Sequence, residues 1–168
     1  MLLIPFEAGH VIPLRRAPDL KQACTEAWGP ANGEACMVSL RELLGVVGAH
    51  EWRKKGVEIA ALGDAPNNRI YPHYGVFSPV RGEYVDLVAS TPLPSQTLAF
   101  DIGVGTGVLS AVLVRRGVQR VVATDQDPRA LACAHDNLQR LGVAQAVTLQ
   151  HTDLFPAGQA ALVVCNPP

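Results

Sequence analysis

The chain has 168 residues, 48% of them hydrophobic, and a formal net charge of −1. That is enough apolar material for one domain of ordinary size, or a domain with a small appendage, burying roughly 70% of its unfolded surface. Acidic and basic residues balance in both halves of the chain, which excludes a polycationic nucleic-acid binder and leaves any RNA or DNA contact to a local patch.

The opening MLLIPF is apolar, but it lacks a basic leader and is soon interrupted by Glu7, so it is not read as a signal peptide. No apolar run approaches the ~20 residues that a membrane span needs, and the expected protein is soluble and cytoplasmic. Residues 1–55 read as a helical region. One helix is predicted from Leu20 to Trp28, between Pro18-Asp19 and Gly29-Pro30. A second starts at the S-x-x-E capping box of Ser39 and Glu42 and runs through LRELLGVVG. HEWRKK adds another short helical turn, stopped by Gly56, and its Arg53-Lys54-Lys55 cluster reads as a solvated face.

Residues 56–80 read as a β-hairpin linker, two strands around a turn rich in Gly, Asp, Pro and Asn, with Pro72 on an edge strand because it has no donor for a ladder. A helix from about Gly82 to Ala89 follows. From residue 81 onward an α/β domain is expected, and beyond Thr97 its elements alternate. TLAFDIG, RVVATD, AVTLQ and AALVVC are strands. GVLSAVLVRRG and DPRALACAHDNLQRLG are helices, the second capped by Asp127, entered through Pro128, and apolar on the face of Leu131, Ala134, Leu138 and Leu141. Such alternation predicts a parallel, doubly wound, Rossmann-like sheet. Cys24, Cys36, Cys133 and Cys165 are scattered with no C-x-x-C pair, and read as reduced thiols rather than disulfides or metal ligands.

The chemistry gathers at the turns after these strands. FDIGVGTG sets Gly103, Gly105 and Gly107 between the first strand and its helix. Glycines there allow a tight turn and a ligand's close approach to the backbone. A dinucleotide fingerprint runs G-x-G-x-x-G; here Val108 stands where that third glycine belongs, which disfavours a nicotinamide dinucleotide and a nucleotide oxidoreductase. Asp125, ending the second strand, can accept hydrogen bonds from both hydroxyls of a ribose. Asp101 is open between holding the loop and reaching a ligand's ammonium group. Asp153, after the third strand, is open between an adenine amino group and an exposed loop acid. After the fourth strand, Asn166 is held rigid by Pro167 and Pro168. Its side-chain carbonyl and the backbone carbonyl of Pro167 can each accept a hydrogen bond from a planar nitrogen, turning the lone pair toward an electrophile. His73 and His151 read as surface or packing residues.

Taken together, D-x-G-x-G-x-G, the acids at Asp125 and Asp153, and N-P-P resemble class I S-adenosylmethionine-dependent methyltransferases, and within them the group that methylates amino nitrogens with N-P-P followed by an aromatic. The order of helical region, hairpin and GVFSPVRGEYVDLV is similar to the HemK/PrmC-type glutamine methyltransferases of release factors. The resemblance implies S-adenosyl-L-methionine as cofactor, with Gly103, Gly105 and Gly107 bordering its methionine end, Asp125 at the ribose, and Asp153 and Leu154 at the adenine. It implies that Pro79 and Glu83 belong to the cofactor segment before the glycine loop, that Asn166 and Pro167 are catalytic, and that Asn166, Pro167 and Pro168 meet the target nitrogen. The strands would lie in the order 3-2-1-4.

The expected reaction is methyl transfer to a planar amide or amino nitrogen: a glutamine of a translation protein such as a release factor, or an exocyclic base amine of RNA or DNA. The aromatic after Pro168 is missing and family members have about three further strands, so a longer natural protein is expected, of which this is the cofactor-binding half. The alternative is a non-catalytic cofactor-binding or interaction module.

Overall fold

The computed structural model describes residues 2–167, so Pro168 lies outside the described residues. The chain forms two compact units. One runs through Lys55 and takes in His73–Gly75; the other comprises Gly56–Pro72 and the chain from Val76 on.

The first unit is not all helical. Strand β1 (Leu3–Phe6) pairs antiparallel with β2 (Cys36–Ser39), Leu3 facing Ser39 and Phe6 facing Cys36. Helices α1 (Lys21–Trp28) and α2 (Leu40–Lys55) complete it. Phe6, Ala23, Cys24, Leu43 and Val46 form its core. Four-residue strands carry too little alternation to announce themselves, and Pro5 inside β1 masks the first further. The two helical pieces expected after Ser39 are one continuous helix. Ser39 Oγ accepts the Glu42 N–H at 3.1 Å, and the helix passes through Gly45 and Gly48, each costing about 1 kcal/mol relative to alanine, before Gly56 turns the chain at φ 71°. On α2, Lys54 pairs with Glu51 at 3.4 Å, and the Lys55 ammonium stands 5.7 Å from the Trp52 ring centroid.

In the second unit, β3 (Val57–Glu58) and β4 (Arg69–Ile70) make the expected antiparallel pair. The pair is only two residues long, so Pro72 falls beyond it: the proline is buried off the strand rather than set on an edge. Helix α3 (Glu83–Ser90) follows Gly82. Then come β5 (Leu98–Ile102), α4 (Val108–Arg115), β6 (Arg120–Asp125), α5 (Pro128–Arg140), β7 (Val147–His151) and β8 (Leu162–Cys165). The four strands form a parallel sheet in the order β7-β6-β5-β8, the expected 3-2-1-4 order of a Rossmann-like sheet. Helices α3, α4 and α5 pack in one core with Ala99, Val121 and Ala123 from a single sheet face. Among the described residues no helix joins β7 to β8; residues 152–161 make that passage as a loop. Asp127 caps α5, its Oδ1 accepting the Arg129 N–H at 2.9 Å. No helix of the described residues is long and apolar enough to cross a membrane.

Candidate functional site

The sheet's registers bring the candidate residues to one end. Ile102 is level with Cys165 on one side and with Thr124 on the other. The next residue of each chain, Gly103, Asn166 and Asp125, therefore emerges in one row. Asp125 is level with His151, so Thr152 and Asp153 leave the sheet beside it. Strand order reverses at β5, with β6 to one side and β8 to the other, and ligands of open α/β sheets bind in the crevice outside the strands' carboxyl ends at such a reversal.

The glycine loop is fastened to β6. The Gly103 and Val104 N–H groups donate to the Thr124 carbonyl at 2.9 and 2.8 Å, and the Gly107 N–H donates to the Val104 carbonyl at 2.8 Å. All three glycines have positive φ, 75°, 52° and 82°. Their surroundings differ. A Cβ on Gly103 would meet nothing within 4 Å, and one on Gly105 only the Gly103 carbonyl at 3.9 Å, whereas one on Gly107 would stand 3.2 Å from the Ala134 Cα. Gly103 and Gly105 thus leave clear space that a side chain would fill, and Gly107 lets the loop sit against α5. This is a cradle for a ligand approaching the first two glycines.

Asp125 is half-buried and already engaged through both oxygens: Oδ2 accepts the Gly105 N–H at 3.1 Å and Oδ1 the Asp127 N–H at 2.9 Å. Each carboxylate oxygen keeps a second lone pair, so the side chain is oriented without being exhausted. Asp101 is buried, and the Ser110 hydroxyl of α4 donates to its Oδ2 at 2.6 Å. Burial pushes its carboxyl up to about 6, against the opposing pull of the Ser110 bonds, and the Asp125 charge adds to the rise. Tyr84 of α3 lies within the field of Asp101; burial, and then that charge, push its hydroxyl up to about 12.

Asp153 and Leu154 are exposed. Leu154 sits at φ 59°, and its carbonyl accepts the Thr124 hydroxyl at 2.6 Å. Asn166 is half-buried and Pro167 exposed. Pro79 is fully buried and Glu83 is the exposed first residue of α3. His151 Nε2 lies 3.0 Å from the Gln126 carbonyl.

Three contributors escaped the reading of the sequence: Thr124, Ser110 and Asn137. The first two are small hydroxyls within apolar elements, with no spacing to mark them. Asn137 could have been noticed as an amide between Ala134 and Leu138 on the inner face of α5, where burial demands partners.

Comparison with known proteins finds similarity within the second unit. The model of ribosomal protein L11 methyltransferase (PrmA) matches residues 87–167. The L11 methyltransferase of Hahella chejuensis is 36% identical over 80 residues, 45% of this chain and 27% of that protein. That of Pelotomaculum thermopropionicum is 44% identical over 69 residues, 40% of this chain and 22% of that protein. The chain spans about a quarter of the length of these relatives. A solved ribosomal protein L11 methylase from Lactobacillus delbrueckii subsp. bulgaricus superposes with a TM-score of 0.41 at 23% identity, over 46% of this chain and 40% of that one. The fold itself is given by the strand order and registers. With the glycine loop, the acid ending β6 and the 3-2-1-4 sheet all within the matched segment, residues 87–167 are of the class I S-adenosylmethionine-dependent methyltransferase kind.

Proposed function

We propose that this chain binds S-adenosyl-L-methionine across the 103–107 loop and serves methyl transfer to an amide or amino nitrogen of a protein. The observation that carries the reading is the row formed by Gly103, Asp125 and Asn166 at the carboxyl ends of three neighbouring strands. The cofactor fits this row: the space at Gly103 and Gly105 admits its methionine end, and the free lone pairs of Asp125 suit the two ribose hydroxyls. Asp153 and Leu154 flank the adenine. When bound, the cofactor supplies an electrophilic methyl group.

The chain's own part in the chemistry is orientation. The Asn166 side-chain carbonyl and the Pro167 backbone carbonyl each accept an N–H of the target nitrogen, which fixes the direction of its lone pair. Positioning of this kind lowers a barrier without a strong base or a metal. Pro168 borders the same place in the chain. A protein acceptor is supported by relatives whose names specify ribosomal protein L11. The names of these relatives do not extend that support to a release-factor glutamine, as in the HemK/PrmC-type enzymes, or to a base of RNA or DNA.

Calorimetric titration with S-adenosylmethionine tests the reading, with a nicotinamide dinucleotide as control. The wild-type chain is expected to bind the former and not the latter. Asp125→Ala is expected to weaken binding by about 100-fold or more, because two charge-assisted hydrogen bonds of roughly 1.5–3 kcal/mol each are lost. Absence of binding, or an affinity indifferent to Asp125, would overturn it.

A further inference from the structure

Asn137, in the last turn of α5, is 1% exposed. Its side-chain carbonyl accepts the Tyr71 N–H at 2.8 Å, and its amide donates to the Tyr71 carbonyl at 3.2 Å. The side chain therefore pairs with both groups of one residue's backbone, as a strand neighbour would. The same amide donates to the Thr106 carbonyl at 3.1 Å, inside the glycine loop. One buried carboxamide thus holds two segments that are remote in sequence.

Its neighbours hold the same two segments. One turn back along α5, Ala134 is the residue that a Cβ on Gly107 would strike. One turn forward, the Arg140 guanidinium lies 4.9 Å from the Tyr71 ring centroid. On the ring's other contact, a Cβ on Gly56 would come within 3.0 Å. The face of α5 from Ala134 to Arg140 therefore braces the loop from behind and seats Tyr71, and Asn137 is the member that touches both.

We infer that Asn137 is a positioning residue that couples the seating of Tyr71 to the glycine loop, so that cofactor binding and the docking of the Gly56–Pro72 segment reinforce each other. This rests on the cofactor reading of the loop given above. The physical basis is the cost of a buried polar group without partners. If Tyr71 lifts away, the Asn137 carbonyl loses its donor, and the amide is left to swing off Thr106. If the loop opens, the amide loses one of its acceptors and the Tyr71 pairing slackens. A ligand that favours the closed loop then favours the seated Tyr71, and by linkage the reverse holds equally.

Amide hydrogen exchange with and without saturating S-adenosylhomocysteine tests this on the full chain. In the wild type, the ligand is expected to slow exchange of the Tyr71 N–H by about tenfold. In Asn137→Ala that protection is expected to vanish while affinity for S-adenosylhomocysteine falls by about tenfold. Arg140→Ala, which loosens the Tyr71 ring but spares the amide link, is expected to keep the ligand-dependent protection. A packing role alone would lower the melting temperature of Asn137→Ala and leave its affinity for S-adenosylhomocysteine unchanged. The wild-type measurement decides even if that variant fails to fold: binding of the ligand with unchanged Tyr71 exchange overturns the coupling alone. Failure to bind removes the cofactor reading and the coupling with it.

Discussion

Asp101 carries a charge problem that its neighbours only partly solve. It lies on the helix-covered face of the sheet, buried, with the Ser110 hydroxyl on Oδ2, and burial raises its carboxyl from 3.8 to about 6. The native state therefore retains a proton that the unfolded chain has already lost. Stability from this group is fully present below the unfolded value, declines as pH climbs toward about 6, and is absent above it. A rise of that size corresponds to about 3 kcal/mol. Asp101→Asn keeps an acceptor for Ser110 and removes the titration. Denaturant unfolding from about pH 4 to about pH 7 is expected to show the variant gaining about 3 kcal/mol on the wild type, with no further gain beyond. A flat difference would mean that Asp101 ionises freely in the fold. Residues of this kind divide by how visible they were. Asp125 was legible because a carboxylate ends a strand beside a glycine loop. Asn137 was not, because its partners, Tyr71 and Thr106, are brought to it only by tertiary packing.

At the scale of elements, the glycine loop joins β5 to α4 and packs against α5, and its glycines do different work. Gly107 precedes α4 at φ 82° and lies against Ala134. Gly107→Ala must adopt a left-handed backbone, at roughly 1–2 kcal/mol, and also displace α5 or its own loop. Gly103→Ala bears similar backbone strain but meets no protein atom within 4 Å; its methyl group enters the space assigned to the ligand. Thermal unfolding is expected to place Gly107→Ala below Gly103→Ala, by about 1–3 kcal/mol of extra overpacking cost. Titration with S-adenosylmethionine is expected to show that Gly103→Ala has lost affinity out of proportion to its stability. Equal stabilities would mean that α5 yields to the added methyl. The sequence exposed these elements because each is long enough for its period to show and each strand leads directly into its helix. In the first unit, β1 and β2 are four residues each, and their pairing depends on contacts between segments about thirty residues apart in sequence. Local pattern has no access to such a pairing, and the region read as helices alone.

For the whole sheet, what decides behaviour is the contrast between its two faces. One carries α3, α4 and α5. On the other, the registers align Thr148, Val122, Phe100 and Val163 in one row, and Gln150, Thr124, Ile102 and Cys165 in the next. The β7 end of each row is polar and the β8 end is not. Among the described residues β8 has a strand neighbour on one side only, and Val163 is 48% exposed on it. Leu154 and Phe155, on the loop that leads to β8, are 60% and 63% exposed. An apolar strand with an open ladder is a template for pairing with another chain, whereas a charged side chain on the same strand opposes that pairing. The 168-residue chain in solution is therefore expected to self-associate through β8. Sedimentation velocity should show a weight-average mass that rises with concentration above 17.9 kDa. Val163→Lys is expected to bring it back toward that value, and Thr148→Lys, on the polar β7 edge, to leave it unchanged. The two variants add the same charge, so a general gain in solubility would lower association in both. Association that is insensitive to Val163 would place the contact away from β8.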